Sequence, residues 1–217
     1  MTCMVWVSSM IDHERRLLFI HISRTGGSSI ELALCGRDWW LIDPASKHLS
    51  AAQARAYYGE EIWRRYVKFA VVRNPWDRVV SMWAARSWHQ DLHALDHYNM
   101  LKFVQQLRPH PNENCGSLHY HEILDQPLDY VLRFEHLQQD LSTMLCACSL
   151  PDVALSRAEC GVRGHYSNYY NDESVDLVRR LFRRDIELYG YDFEVDREFY
   201  RPRAVPVRTA GLPARRV

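Results

Sequence analysis

Phe69-Ala-Val-Val-Arg-Asn-Pro-Trp-Asp-Arg-Val-Val-Ser81 sets the reading of this chain, together with an earlier stretch of the same design, Phe19-Ile-His-Ile-Ser-Arg-Thr-Gly-Gly-Ser-Ser-Ile30. Each runs from apolar residues through a polar turn into a helical pattern. Val67 to Val72 is almost continuously apolar and rich in β-branched residues, as a strand covered on both faces of a parallel sheet must be. After it, Asn74 suits the N-cap of a helix, Pro75 its first position and Asp77 its positive end, with the helix continuing to Trp88.

Working outward, Leu17 to Ile22 reads as a strand, and Ser28 or Ser29 as the cap of a helix ending near Leu34. Trp39 to Ile42 reads as a possible further strand, Ala51 to Tyr58 as a helix, Tyr130 to Phe134 as a strand and Leu137 to Leu145 as a helix. Residues 89–121 carry one short helical patch, Leu101 to Leu107, and read as an insertion over one end of the sheet. Glu173 to Tyr189 reads as one long helix with an apolar stripe of Val178, Leu181, Phe182, Ile186 and Tyr189, stopped by Gly190. Recurring strand–turn–helix units imply an α/β fold: a single domain with a central parallel sheet flanked by helices. Residues 1–200 form the domain in this reading, and 201–217, with three prolines and five arginines, a mobile basic tail.

With 27 basic and 27 acidic side chains, the net charge of zero argues against a protein that coats nucleic acid, so any anion site must be local. The six cysteines lack metal-ligand spacing and read as reduced thiols. The first ten residues do not make a signal peptide, and no stretch approaches the ~20 apolar residues of a membrane span. A cytoplasmic, soluble protein is expected, its oligomeric state open.

In α/β sheets ligands bind beyond the carboxyl ends of the strands, where both turns lie. The first turn, Arg24-Thr25-Gly26-Gly27-Ser28-Ser29, opens a helix whose first amides lack acceptors. Glycines let an anion approach that backbone, and Thr25, Ser28, Ser29 and Arg24 add donors. The turn is P-loop-like, yet neither GxxxxGK[ST] nor GxGxxG is present. In the second turn, Arg73 ends a strand and Ser81 follows two helical turns past Pro75, a second anion site some distance from the first. Arg78 shares a helical face with Ser81 or pairs with an acid elsewhere. A ligand phosphorylated at both ends of a nucleoside needs both turns.

These segments resemble the 5′-phosphosulfate loop and the 3′-phosphate motif of sulfotransferases. Tyr130-Val-Leu-Arg-Phe-Glu-His-Leu137, and His165 to Asn171 through Asp185 to Phe193, are similar to later segments of the same family. The branch it resembles is that of bacterial relatives of Golgi carbohydrate sulfotransferases, sulfotransferase family 2-like. The resemblance implies 3′-phosphoadenosine 5′-phosphosulfate (PAPS) as donor and, as acceptor, a hydroxyl or amine of a glycan or glycosylated metabolite. It places Thr25, Gly26, Gly27, Ser28 and Ser29 on the 5′-phosphosulfate, and Arg73 and Ser81 on the 3′-phosphate. Arg24 stands where the family usually has a lysine that supplies charge to the leaving oxygen. It further implies a segment closing over the nucleotide, with Arg163 and Tyr166 as contacts; a structural turn reads equally well there.

Sulfuryl transfer depends on positioning and electrostatics, and a group carrying one negative charge requires no metal. His48, in His48-Leu49-Ser50 after a probable strand and before a helix, reads as the base, since imidazole suits proton removal near neutral pH. A capping or surface histidine is the alternative, with Lys47 beside it solvated. His21 reads as a core histidine, and Arg133 with Glu135 as a buried pair or fold element. Trp83, Trp88, His89, His93 and His97 read as a possible acceptor cleft. Two other functions stay open: a kinase-like phosphotransferase using ATP and magnesium, and a nucleotide-binding protein without turnover, for which Arg24 speaks.

Overall fold

The structure, a computed structural model, describes residues 10–86, 97–156 and 164–194. The anticipated tail, Arg163, and the residues 87–96 that include Trp88, His89 and His93 lie outside them. A four-stranded sheet organises the domain in the order β1 (Ile11–Asp12), β2 (Leu17–Ile20), β3 (Val67–Val72), β4 (Tyr130–Arg133). β2 pairs parallel with β3, and β3 parallel with β4, while the short β1 turns back antiparallel on β2. Each parallel step needs a crossover. The first carries α1 (Gly27–Cys35), α2 (Ala51–Tyr58) and α3 (Glu60–Arg65). The second carries α4 (Pro75–Arg86), α5 (His97–Gln105) and α6 (Tyr120–Ile123). After β4 come α7 (Leu137–Ala147), α8 (Asp172–Leu181) and α9 (Arg183–Tyr189).

The apolar runs behave as parallel strands must: Leu17 to Ile20 and Phe69 to Val72 are all buried. Phe19 stacks on Phe69 across the β2–β3 pair, ring centroids 4.9 Å apart. One core gathers the sheet with residues of α1, α2 and α7. A second joins Trp76, Val79 and Val80 of α4 to α5 and α8. Among the described residues no helix is long and apolar enough to cross a membrane. The four described cysteines, Cys35, Cys115, Cys146 and Cys148, form no disulfide with one another.

Some expectations are corrected. Trp39–Leu41 is a 3-10 turn, not a strand: Asp38 caps it by accepting from the Trp40 amide at 2.9 Å, and Glu31 takes the Trp39 amide. The start of α1 is capped by neither Ser28 nor Ser29; Gly26 occupies the N-cap at φ 88°, left-handed backbone open to glycine at no steric cost. The long C-terminal helix breaks at Phe182, which is buried in the second core, and Leu181 of the proposed stripe is exposed. The break lets Asp185, at the start of α9, accept from the amides of Tyr120 and His121 at 2.9 and 3.0 Å.

Candidate active site

β2 and β3 are hydrogen-bonded neighbours, so the turns at their carboxyl ends stand side by side. In the first turn the amides of Gly26, Gly27 and Ser28 find no backbone acceptor. The hydroxyls of Ser28 and Ser29 make no hydrogen bond among the described residues, whereas that of buried Thr25 donates to the Ile22 carbonyl at 2.8 Å. Thr25 therefore braces the turn, while the half-buried Ser28 and Ser29 keep their hydroxyls uncommitted among the described residues. Arg24 bends the chain with φ 64°, a left-handed conformation that costs a side-chain-bearing residue about 1 kcal/mol.

The two turns share partners. Arg24 donates from Nε to Ser81 Oγ at 3.1 Å. Arg73 donates from Nη1 to the Arg24 carbonyl at 3.0 Å, and from Nε and Nη2 to Asp77 Oδ2 at 2.8 and 2.7 Å. Its guanidinium also lies 3.8 Å above the Phe134 ring. Behind them Arg78 is buried and, among the described residues, pairs with no acid. It donates to the Ser23 carbonyl at 3.0 Å and the Leu118 carbonyl at 2.6 Å, tying α4 to the first turn. Tyr120 holds the backbone of the second turn, its hydroxyl donating to the Arg73 carbonyl at 2.7 Å. The charges and open amides of this pair of turns fit a ligand with two anionic groups.

His48 lies beside His21, the ring that packs under Gly27 of the first turn. His48 too has left-handed backbone, φ 60°. Its Nδ1 lies 3.0 Å from the His21 carbonyl, which can only accept, so the proton sits on Nδ1 and the lone pair on Nε2. Nε2 has no protein partner among the described residues. Burial first, with the neighbouring His21, Lys47 and Arg78 adding to it, pushes the imidazole pKa down to about 2, below the near-neutral value expected from the sequence. The half-buried Trp40 meets the His48 ring edge-on, centroids 5.8 Å apart.

Lys47 is not solvated: it is buried, donating to Glu31 Oε2 at 3.0 Å and Asp38 Oδ1 at 2.6 Å. His21 is a core histidine, its Nδ1 paired with Glu31 Oε1. Tyr166 is buried one residue from Arg73, its hydroxyl accepting from Asn74 Nδ2 at 3.4 Å and the Glu194 amide at 2.9 Å. Arg133 and Glu135 act as separate fold elements. Arg133 donates to the Tyr189 carbonyl, and Glu135 accepts from the Asn74 amide at 2.6 Å.

Sequence reasoning missed the residues that clamp the loop carrying His48. Asn114 Nδ2 lies within hydrogen-bond reach of the carbonyls of Pro44, Ala45 and Lys47, and the Cys115 amide donates to the His48 carbonyl at 2.7 Å. They lie in the stretch read as an insertion, and only its Asn-rich composition hinted at a turn. His119, His121 and Asp185 form a further cluster, ligand atoms mutually within 4.8 Å. Its carboxylate is already committed to two backbone amides and to His121 Nδ1 at 2.6 Å, which makes it the cap of α6.

The two polar turns thus sit at the carboxyl ends of neighbouring parallel strands of an α/β sheet, with the His48 ring beside His21, against which the first turn packs. The model of the sulfotransferase family matches residues 8–154, and the chain belongs to that family, as a sulfotransferase family 2-like protein. No curated protein and no solved structure matches the chain.

Proposed function

We propose that this chain moves a sulfuryl group from PAPS to a hydroxyl or amine of a glycan or glycosylated metabolite, with His48 as base. The single observation that carries the reading is the shared anion site: Arg24 on Ser81 and Arg73 on the Arg24 carbonyl, beside His48.

The donor brings a sulfuryl group joined to its 5′-phosphate. The amides of Gly26 and Gly27, the hydroxyls of Ser28 and Ser29, and the charge of Arg24 hold that end and stabilise the negative charge that collects on the departing phosphate oxygen. Thr25 shapes the turn from behind. Arg73 and Ser81 hold the 3′-phosphate. By the resemblance Arg163 is a nucleotide contact, and Tyr166 contributes by holding Asn74, the neighbour of Arg73 in the chain. With the anionic donor bound beside it to raise the low proton affinity of the free imidazole, Nε2 of His48 takes the acceptor's proton as the acceptor oxygen or nitrogen bonds to sulfur and the bond from sulfur to the phosphate oxygen breaks. Trp40, edge-on to the base, offers an aromatic face on which a sugar ring can lie.

The test is thermal stability with 3′-phosphoadenosine 5′-phosphate, compared with ADP with and without magnesium. A ligand that binds only the folded state raises apparent stability by mass action. The bisphosphate is expected to raise Tm and ADP to do so weakly. A shift with magnesium-ADP alone overturns the reading and favours a kinase-like phosphotransferase. Binding of the bisphosphate without sulfuryl transfer to any of a panel of sugar acceptors leaves a nucleotide-binding protein.

A further inference from the structure

We propose that Glu31 is the positioning residue for His48, acting through Lys47 and His21; describing His48 as a base rests on the reading above. Glu31 is wholly buried on α1, the helix that starts at the first anion turn. Its Oε2 accepts from Lys47 Nζ at 3.0 Å and from the Trp39 amide at 3.1 Å, and its Oε1 faces His21 Nδ1. Lys47 immediately precedes the base in the chain. His21 supplies the carbonyl that holds His48 Nδ1, and the two imidazole rings lie 4.5 Å apart. One carboxylate thus grips both the residue before the base and the residue that orients it.

The same grip reaches the donor turn. A Cβ on Gly27 would fall 2.0 Å from His21 Nε2, so the imidazole held by Glu31 lies directly against the turn's backbone. Asp38 completes the cluster. Burial works against its charge, yet the hydrogen bonds from Lys47 and the Trp40 amide prevail and hold its carboxyl below the usual range. A buried cluster of this kind is a poor stabiliser compared with well-packed apolar side chains. What it supplies is direction: Glu31 Oε2 is fixed by Lys47 and the Trp39 amide, Oε1 faces His21, and these partners are the neighbours of the base and of the first turn.

Tautomer-sensitive NMR of protein carrying ¹⁵N-labelled histidine tests this, with the His48 signals assigned by their loss in His48→Asn. In the native protein His48 is expected as the pure Nδ1–H tautomer. Glu31→Gln, which keeps the size of the side chain but not its charge, is expected to give a mixture of tautomers. Glu31→Gln in which His48 remains purely Nδ1–H, with only a lowered Tm, overturns the proposal, because a merely structural role lowers Tm alone. If Glu31→Gln fails to fold, the double variant Glu31→Gln/Lys47→Met, which leaves no orphaned ammonium, carries the same expectation and the same refutation. Native protein without a pure Nδ1–H tautomer overturns it as well. Calorimetry with 3′-phosphoadenosine 5′-phosphate on the same samples separates the two readings: native protein that fails to bind it refutes the donor assignment and leaves the tautomer result standing.

Discussion

Arg24 Nε stands 3.1 Å from Ser81 Oγ, so a side chain rooted in the first turn ends on the helix of the second. Hydrogen bonds to charged groups contribute about 1.5–3 kcal/mol. Arg24→Ala is therefore expected to weaken 3′-phosphoadenosine 5′-phosphate binding roughly 10- to 100-fold in calorimetry. Arg24→Lys keeps the charge but not the planar fork, and should retain most of the affinity while losing the Ser81 contact. Equal affinity in Arg24→Ala and the native protein would remove Arg24 from the site.

His48→Asn separates chemistry from folding. Asparagine tolerates left-handed backbone, and its amide can donate to the His21 carbonyl as Nδ1 does. The variant should keep a native-like Tm and the bisphosphate-induced shift. Sulfuryl transfer should fall by roughly 10²- to 10⁴-fold, the usual contribution of a general base. Unchanged turnover would pass the role of base to another group.

The low pKa of His48 has a defined sign in stability. The folded value of about 2 lies below the ordinary 6.5, so between them the unfolded chain binds the extra proton. The contribution is fully present above pH 6.5 and is lost progressively as pH falls toward about 2. Native protein should lose more Tm between neutral pH and mild acid than His48→Asn does. An equal loss in both would mean that His48 does not titrate on unfolding.

Gly27 and His21 should be energetically coupled. Gly27→Ala drives a methyl group into the His21 ring and should destabilise strongly. His21→Ala opens that space, so the double variant should be less damaged than the sum of the single changes, with a coupling of about 0.5–3 kcal/mol in urea denaturation. Simple additivity would mean that the turn and the ring do not touch in solution.

The two turns, the two long parallel strands and the start of α4 were legible because each rests on local chemistry: a continuous apolar run, a glycine pair, Asn74-Pro75 at a helix start. What escaped depends on contacts distant in sequence. Lys47 looks solvated until Glu31, sixteen residues earlier, is brought against it. Trp39 to Ile42 has the apolar content of a strand, but Asp38 and Glu31 take its amides and turn it into a single 3-10 turn. Asn114 clamps a loop almost seventy residues away, and no local pattern announces such a partner. Arg78, read either as a companion of Ser81 or as a partner of an acid, is a brace between carbonyls, since buried guanidinium groups are satisfied as well by backbone oxygens.

That β2 and β3 are adjacent strands makes the sheet a ruler. The distance between the two anion turns is set by one inter-strand spacing, about 4.8 Å, and by the register that pairs Phe19 with Phe69. Side-chain substitutions can alter how much charge each end of this gauge carries, but not its length. A protein engineered toward a longer or shorter doubly charged donor would have to gain or lose a strand or shift the pairing by two residues, a change of backbone rather than of surface chemistry.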